Sequence, residues 1–208
     1  MKALAAGACV LALAAVAGNA SAAFQSSVSR IPPDVRDRVV GSSWRPGCPV
    51  PLRKLRLVRV SIHKFDGSRR QGQLIIHRTQ AHKIVRVMHK LWRADYPIRR
   101  MRLVDAYGAD DDRSMKADNT SAFNCRFVAG TERWSEHAYG RAIDVNDFEN
   151  PYVAANGTVY PSSYFLHRRT GPGTFSSTSD SAVRAFTTQG FFWGGRWSDP
   201  DFQHMELK

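Results

Sequence analysis

The strongest constraint on the fold lies between residues 58 and 76. Val58, Val60 and Ile62 alternate with Arg59, Ser61 and His63, which is the period of a half-buried strand. Asp66-Gly67 offers a turn, and Leu74-Ile75-Ile76 supplies a second apolar run, so a β-hairpin is expected. Over 80–95, Ile84, Val85, Val87, Met88, Leu91 and Trp92 fall at helical spacing until Pro97 stops the pattern. Such a helix buries its apolar face by packing on the hairpin. Residues 101–106 read as a third strand and 142–145 as a short one. Residues 179–189 read as a helix with a Ser N-cap and Gly190 at its stop, and 204–207 as a final strand. Strands and helices alternate without a regular βαβ pattern, which predicts an α+β fold: one domain with a mainly antiparallel sheet flanked by helices.

The first 22 residues follow other rules. Lys2 precedes an apolar run over 3–17 and the small triplet Ala20-Ser21-Ala22, the layout of a secretory signal peptide cleaved after Ala22. The run is shorter than the ~20 residues of a membrane-spanning helix, and no stable membrane anchor is expected. Cys9 lies inside the run and leaves with it. Residues 23–51, rich in Ser, Pro, Gly and Arg, read as an extended lead-in, with the folded domain over 52–208. The expected location is therefore secreted, periplasmic or associated with the cell wall.

Loss of Lys2 lowers the formal net charge from +12 by one, leaving a strongly basic chain that favours polyanions. Outside the cell these would be anionic wall polymers or anionic lipid headgroups. The cations are spread through Arg53, Arg56, Arg59, Arg69, Arg70, Arg99, Arg100, Arg168 and Arg169 with no basic helix to enter a groove, so nucleic acid is not the expected partner. A solvated basic face is the plain alternative. Cys48 and Cys125 remain after cleavage, and an even pair in an oxidising compartment is most simply a disulfide.

Two cysteines cannot build a zinc site, so any metal must be held by His and carboxylate side chains. In Ser135-Glu136-His137-Ala138-Tyr139-Gly140-Arg141-Ala142-Ile143-Asp144, Gly140 permits a tight turn after His137. Strand alternation then sets Asp144 on the face opposite Ile143 and Val145. A second piece, 193–206, carries His204 three residues after Asp201, among aromatics and glycines that could wall a cleft. Each piece alone reads equally well as a polar turn or a surface histidine. The acidic run Asp110-Asp111-Asp112 reads as a solvated loop, and His63, His77, His82, His89 and His167 as structural or surface residues.

Taken together, Ser-x-His, then Gly-x-Ala-x-Asp, and later an acidic residue three before His resemble the zinc D-alanyl-D-alanine carboxypeptidases and dipeptidases and the related L-alanyl-D-glutamate endopeptidases, over roughly 52–206. The resemblance implies the Hedgehog-like peptidase fold and one zinc ion held by His137, Asp144 and His204. It further implies Asp201 as general base, Arg126 as the group that binds substrate and steadies the developing oxyanion, and Ser135 and Trp197 as substrate-side residues. Glu206, the competitor for the base role because it would share a strand face with His204, becomes instead the partner that orients a ligand, since the family places the base three residues before the last His. The implied substrates are peptidoglycan stem peptides; separately, the chain is expected to be a monomer. One departure is that Asn119-Thr120-Ser121-Ala122-Phe123-Asn124-Cys125-Arg126 stands where the carboxypeptidase branch carries Tyr-Arg-Ser then Gln, which leaves the bond cut open. A zinc-containing wall-binding module of the same fold without hydrolysis is the alternative.

Overall fold

The computed structural model describes residues 23–167 and 171–207. The signal-peptide reading of 1–22, with Cys9, and the basic residues Arg168 and Arg169 lie outside the described residues.

The predicted hairpin is formed by β2 (Leu55–His63) and β3 (Arg69–His77), paired antiparallel from Leu55↔His77 to His63↔Arg69. Its turn is held by Asp66, whose Oδ1 accepts from the Ser68 N–H at 2.9 Å. β1 (Ser26–Ser29) adds to the free edge of β2. The alternation has two buried faces. Val58, Val60 and Ile62 pack on Ile84, Val87, Met88 and Leu91 of α2 (Ala81–Arg93). Leu55 and Leu57 point the other way, onto Val35 and Val39 of α1 (Pro33–Val39).

The segment 23–51 is thus part of the folded body, a correction to the extended lead-in. Pro32-Pro33 looks like a helix breaker, but Pro33 opens α1, where its missing N–H is one that no helix satisfies. Val35 and Val39, both fully buried, then close the core under the sheet. Cys48, shortly after α1, is disulfide-bonded to Cys125, as expected.

Past α2 the elements shorten. β4 (Arg100–Met101) pairs in parallel with β5 (Asn119–Thr120), and α3 (Asp111–Lys116) lies between them. The expected third strand over 101–106 is therefore only two residues long; the chain then makes a single turn at 104–107, which Gly108 closes in the left-handed region. β7 (Tyr152–Val153) and β8 (Val159–Tyr160) form a small ribbon. α4 (Ser181–Thr187) is capped by Asp180, not by Ser179: its side chain accepts from the Ala182 N–H at 2.8 Å. Ala182, Val183, Ala185 and Phe186 fill the same core as α2.

A second sheet, in the order β6-β10-β9, joins β6 (Ala142–Asp144), β10 (His204–Glu206) and β9 (Phe192–Trp193), all antiparallel. Ile143 and Met205 anchor it in the main core at zero exposure. The architecture is α+β with mainly antiparallel sheets in one domain. Among the described residues no helix is long and apolar enough to cross a membrane.

Candidate metal centre

β6 and β10 set the geometry. Their register places His204 directly opposite Asp144, and cross-strand partners in an antiparallel pair project from the same face. His204 Nδ1 lies 2.9 Å from Asp144 Oδ1. His137 arrives from the single turn at 136–139, where the Ser135 hydroxyl accepts from the His137 N–H at 3.3 Å. Gly140 ends that turn at φ +66°, and a Cβ there would lie 2.7 Å from the His77 backbone nitrogen, so both conformation and space call for glycine.

The His137 ring is oriented by its other nitrogen. Nδ1 is hydrogen-bonded to the Ala122 carbonyl, which fixes Nδ1 as the donor and turns Nε2 toward the cluster. Nε2 lies 3.0 Å from Asp144 Oδ2 and 3.2 Å from His204 Nδ1. Ligand atoms of His137, Asp144 and His204 all lie within 4.8 Å of one another, and each side chain is buried. Among the described residues no other group of His, Cys, Asp or Glu side chains converges in this way, so His63, His77, His82, His89 and His167 form none.

Two imidazoles and one carboxylate are the donor set of a catalytic zinc site with a position left for water, so the residues present fit a metal ion. Glu206 Oε2 sits 3.3 Å from His204 Nε2, on the ring edge away from the cluster, where it can hold the ring's orientation. The electrostatics are strongly coupled. Burial opposes ionisation of Asp144, but the charges and hydrogen bonds of His137 and His204 outweigh it and hold the carboxyl far below the usual range. Burial likewise opposes charge on His204, yet its bonds to Asp144 and Glu206 lift it to about 10.

Asp201 lies at the mouth of β10. Its N–H donates to the Gly194 carbonyl at 3.1 Å, and its own carbonyl accepts from the His204 N–H at 3.3 Å. Gly194 permits this closeness: a Cβ there would lie 2.7 Å from the Asp201 carbonyl and 3.2 Å from the Cβ atoms of Asp201 and His204. Asp201 Oδ1 is buried with no hydrogen-bond partner. Burial raises its carboxyl to about 7; His204 and Arg126 pull it down while Asp144 and Asp111 push it up. Trp197, 37% exposed, places its ring centroid 5.2 Å from that of His204.

Arg126 is held by Asp111, with Nη2 to Oδ2 at 2.7 Å, while its Nε is buried without a partner. Asp111 opens α3, and Asp110 caps that helix by accepting from the Arg113 N–H at 3.0 Å. The acidic run is therefore a helix cap and an ion pair, a correction to the solvated loop. An acidic residue three before Arg113 is a capping signal in its own right. Asp147 was not singled out from the sequence. It is 1% exposed, neither oxygen has a hydrogen-bond partner, and burial with the charges of Asp144 and Asp118 raises its carboxyl well above the usual range.

Residues 129–207 match the family model described as D-alanyl-D-alanine carboxypeptidase. The match is confined to this stretch, over which the chain is similar to that family. No curated protein and no solved structure matches the chain. The family match takes in Ser135, His137, Asp144, Trp197, Asp201, His204 and Glu206, and leaves out Arg126, Asp111 and the hairpin β2–β3. The family match thus bears on the three converging side chains and on the Asp201 loop, whereas the Arg126–Asp111 pair rests on its own geometry.

Proposed function

We propose that the protein is an exported zinc peptidase that hydrolyses an amide bond in peptidoglycan stem peptides. The observation that carries the reading is the convergence of His137, Asp144 and His204 inside a stretch matched to a carboxypeptidase family, beside a buried Asp201 oxygen that has no partner. When bound by these three side chains, a zinc ion supplies Lewis-acid polarisation of the scissile carbonyl and of water at neutral pH. The protein's own residues do the rest.

Asp201, raised to about 7, is poised to accept a proton from the attacking water and return one to the leaving amine near neutral pH. Arg126, with an unpartnered buried Nε, is the nearby cation suited to a developing oxyanion, and Asp111 sets its guanidinium in place. Ser135 acts through the backbone of His137, and Glu206 through the His204 ring. Trp197 offers an apolar wall on which a peptide can lie. The disulfide and the leading apolar segment support export.

The engagement of Arg126 by Asp111 favours a second reading, a zinc-containing module that binds wall fragments without cutting them. Mass spectrometry of purified wall peptides incubated with the protein, with and without a chelator, separates the two. Release of a new fragment only without chelator supports the peptidase and names the bond. Unchanged peptides with retained binding support the module.

A further inference from the structure

A cavity of about 520 Å³ is bordered by Arg30, Arg36, Arg53, Lys54, Arg56 and Arg78, with no acidic residue in its lining. It is built where three parts of the fold meet: the connection from β1 into α1, the single turn at Leu52–Lys54, and the end of β3. The Arg78 N–H donates to the Lys54 carbonyl at 2.8 Å, tying two of these parts together. Arg56 Nη1 donates to the carbonyls of Arg53 and Leu55 at 3.0 and 2.8 Å, so one guanidinium is braced against the backbone.

Among the described residues none of the six cations makes an ion pair. Asp34 and Asp37, on α1, do not line the cavity. Its field reaches the neighbouring His77, held below its ordinary value by burial first and then by the charges of Lys54, Arg78, Arg141 and Arg56. Arg141 is the exception in that set, since Glu136 neutralises it at 2.8 Å. None of the lining residues belongs to the metal centre.

Crowding six like charges opposes folding unless a counter-anion is present. Five of the six are arginines, whose planar forks match phosphate oxygens in pairs. The volume falls within the ~300–1,000 Å³ of ordinary ligand sites, while the charge exceeds what one phosphate would neutralise. The apolar lining is Ile31, Leu52 and Leu55, with no aromatic ring on which a nucleobase could stack. We infer that this cavity binds a phosphodiester polymer without bases, seating two or three consecutive phosphates. The proposal is independent of the peptidase reading.

Polyglycerol phosphate is the probe, measured by calorimetry on the 23–208 chain at 50 and 200 mM salt. The expected result is binding that weakens about tenfold or more across that range. It should be at least tenfold tighter than for polyglutamate of equal charge or single-stranded DNA of equal phosphate count. Inorganic tripolyphosphate should displace the polymer from the unaltered protein, a result that needs no variant. Combined Arg53→Gln, Arg56→Gln and Arg78→Gln should weaken binding at least tenfold, and combined Arg69→Gln, Arg70→Gln and Arg93→Gln less than twofold. Equal loss in the two triple variants would assign the binding to diffuse surface charge and overturn the proposal. So would DNA or polyglutamate binding as tightly, or capture by phosphatidylglycerol vesicles without capture of the polymer.

Discussion

His204 and Asp144 face each other across the β10–β6 ladder, Nδ1 to Oδ1 at 2.9 Å, although 60 residues separate them along the chain. With His137 Nε2 at 3.0 Å from the other Asp144 oxygen, one carboxylate brings two imidazoles together.

That arrangement makes metal binding depend on pH. In the metal-free fold His204 is raised to about 10, so below that value it is protonated and an ion must displace the proton. Affinity for zinc should rise about tenfold per pH unit between pH 6 and 9, with about one proton released per ion, measured by competition against a chromogenic chelator in several buffers. Stability of the metal-free chain runs the other way. The His204 contribution is fully present below its ordinary value of ~6.5 and is lost as pH rises toward 10.

The roles given to His137 and Asp201 separate by metal content. His137→Ala removes one of the three proposed ligands and should lose both zinc and turnover. Asp201→Ala should keep one zinc by atomic absorption while peptide hydrolysis falls about 10²–10⁴-fold, the usual span for loss of a general base. An Asp201→Ala protein with unchanged turnover would remove Asp201 from the mechanism.

Asp147 is a stability liability of the site. Its buried oxygens lack hydrogen-bond partners, and its carboxyl is raised well above the usual range. Below its unfolded value of ~3.9 both states carry the proton. Above that value the unfolded chain releases it first, so this group lowers stability as pH rises. Asp147→Asn should raise stability at pH 7 by about 1–3 kcal/mol in urea melts, with a gain that shrinks toward pH 4.

The Cys48–Cys125 bond spans 77 positions of chain and ties the segment after α1 to the run leading into Arg126. In the chain-entropy model, closing such a loop contributes about 4.5 kcal/mol at most. Cys48→Ser with Cys125→Ser should lower the urea midpoint by a large part of that amount, and a reductant should do the same to the unaltered protein.

Legibility in the sequence followed the length of each pattern. β2, β3 and α2 are long enough for periods of 2.0 and 3.6 to stand out, and they appear at nearly the expected positions. His137 and Asp144 were legible because one turn and one short strand keep them within a single motif. The pairing of His204 with Asp144 was not, since β6 and β10 are three residues each and such strands carry no periodicity. α1 was hidden by Pro33, which marks a helix start as readily as a break. Asp147 gave no signal because its meaning lies in burial beside Asp144, a property of the assembled fold. The basic cavity draws on residues as far apart as Arg30 and Arg78, so the sequence showed its charge and not its convergence.

The most direct test of the central claim is a zinc titration of chelator-stripped protein, with hydrolysis of a purified stem peptide followed by mass spectrometry. The account predicts no product without zinc, a rise in product with added zinc, and saturation at one equivalent per chain. Product formation that is indifferent to zinc, or one bound equivalent with the peptide left intact, would contradict it.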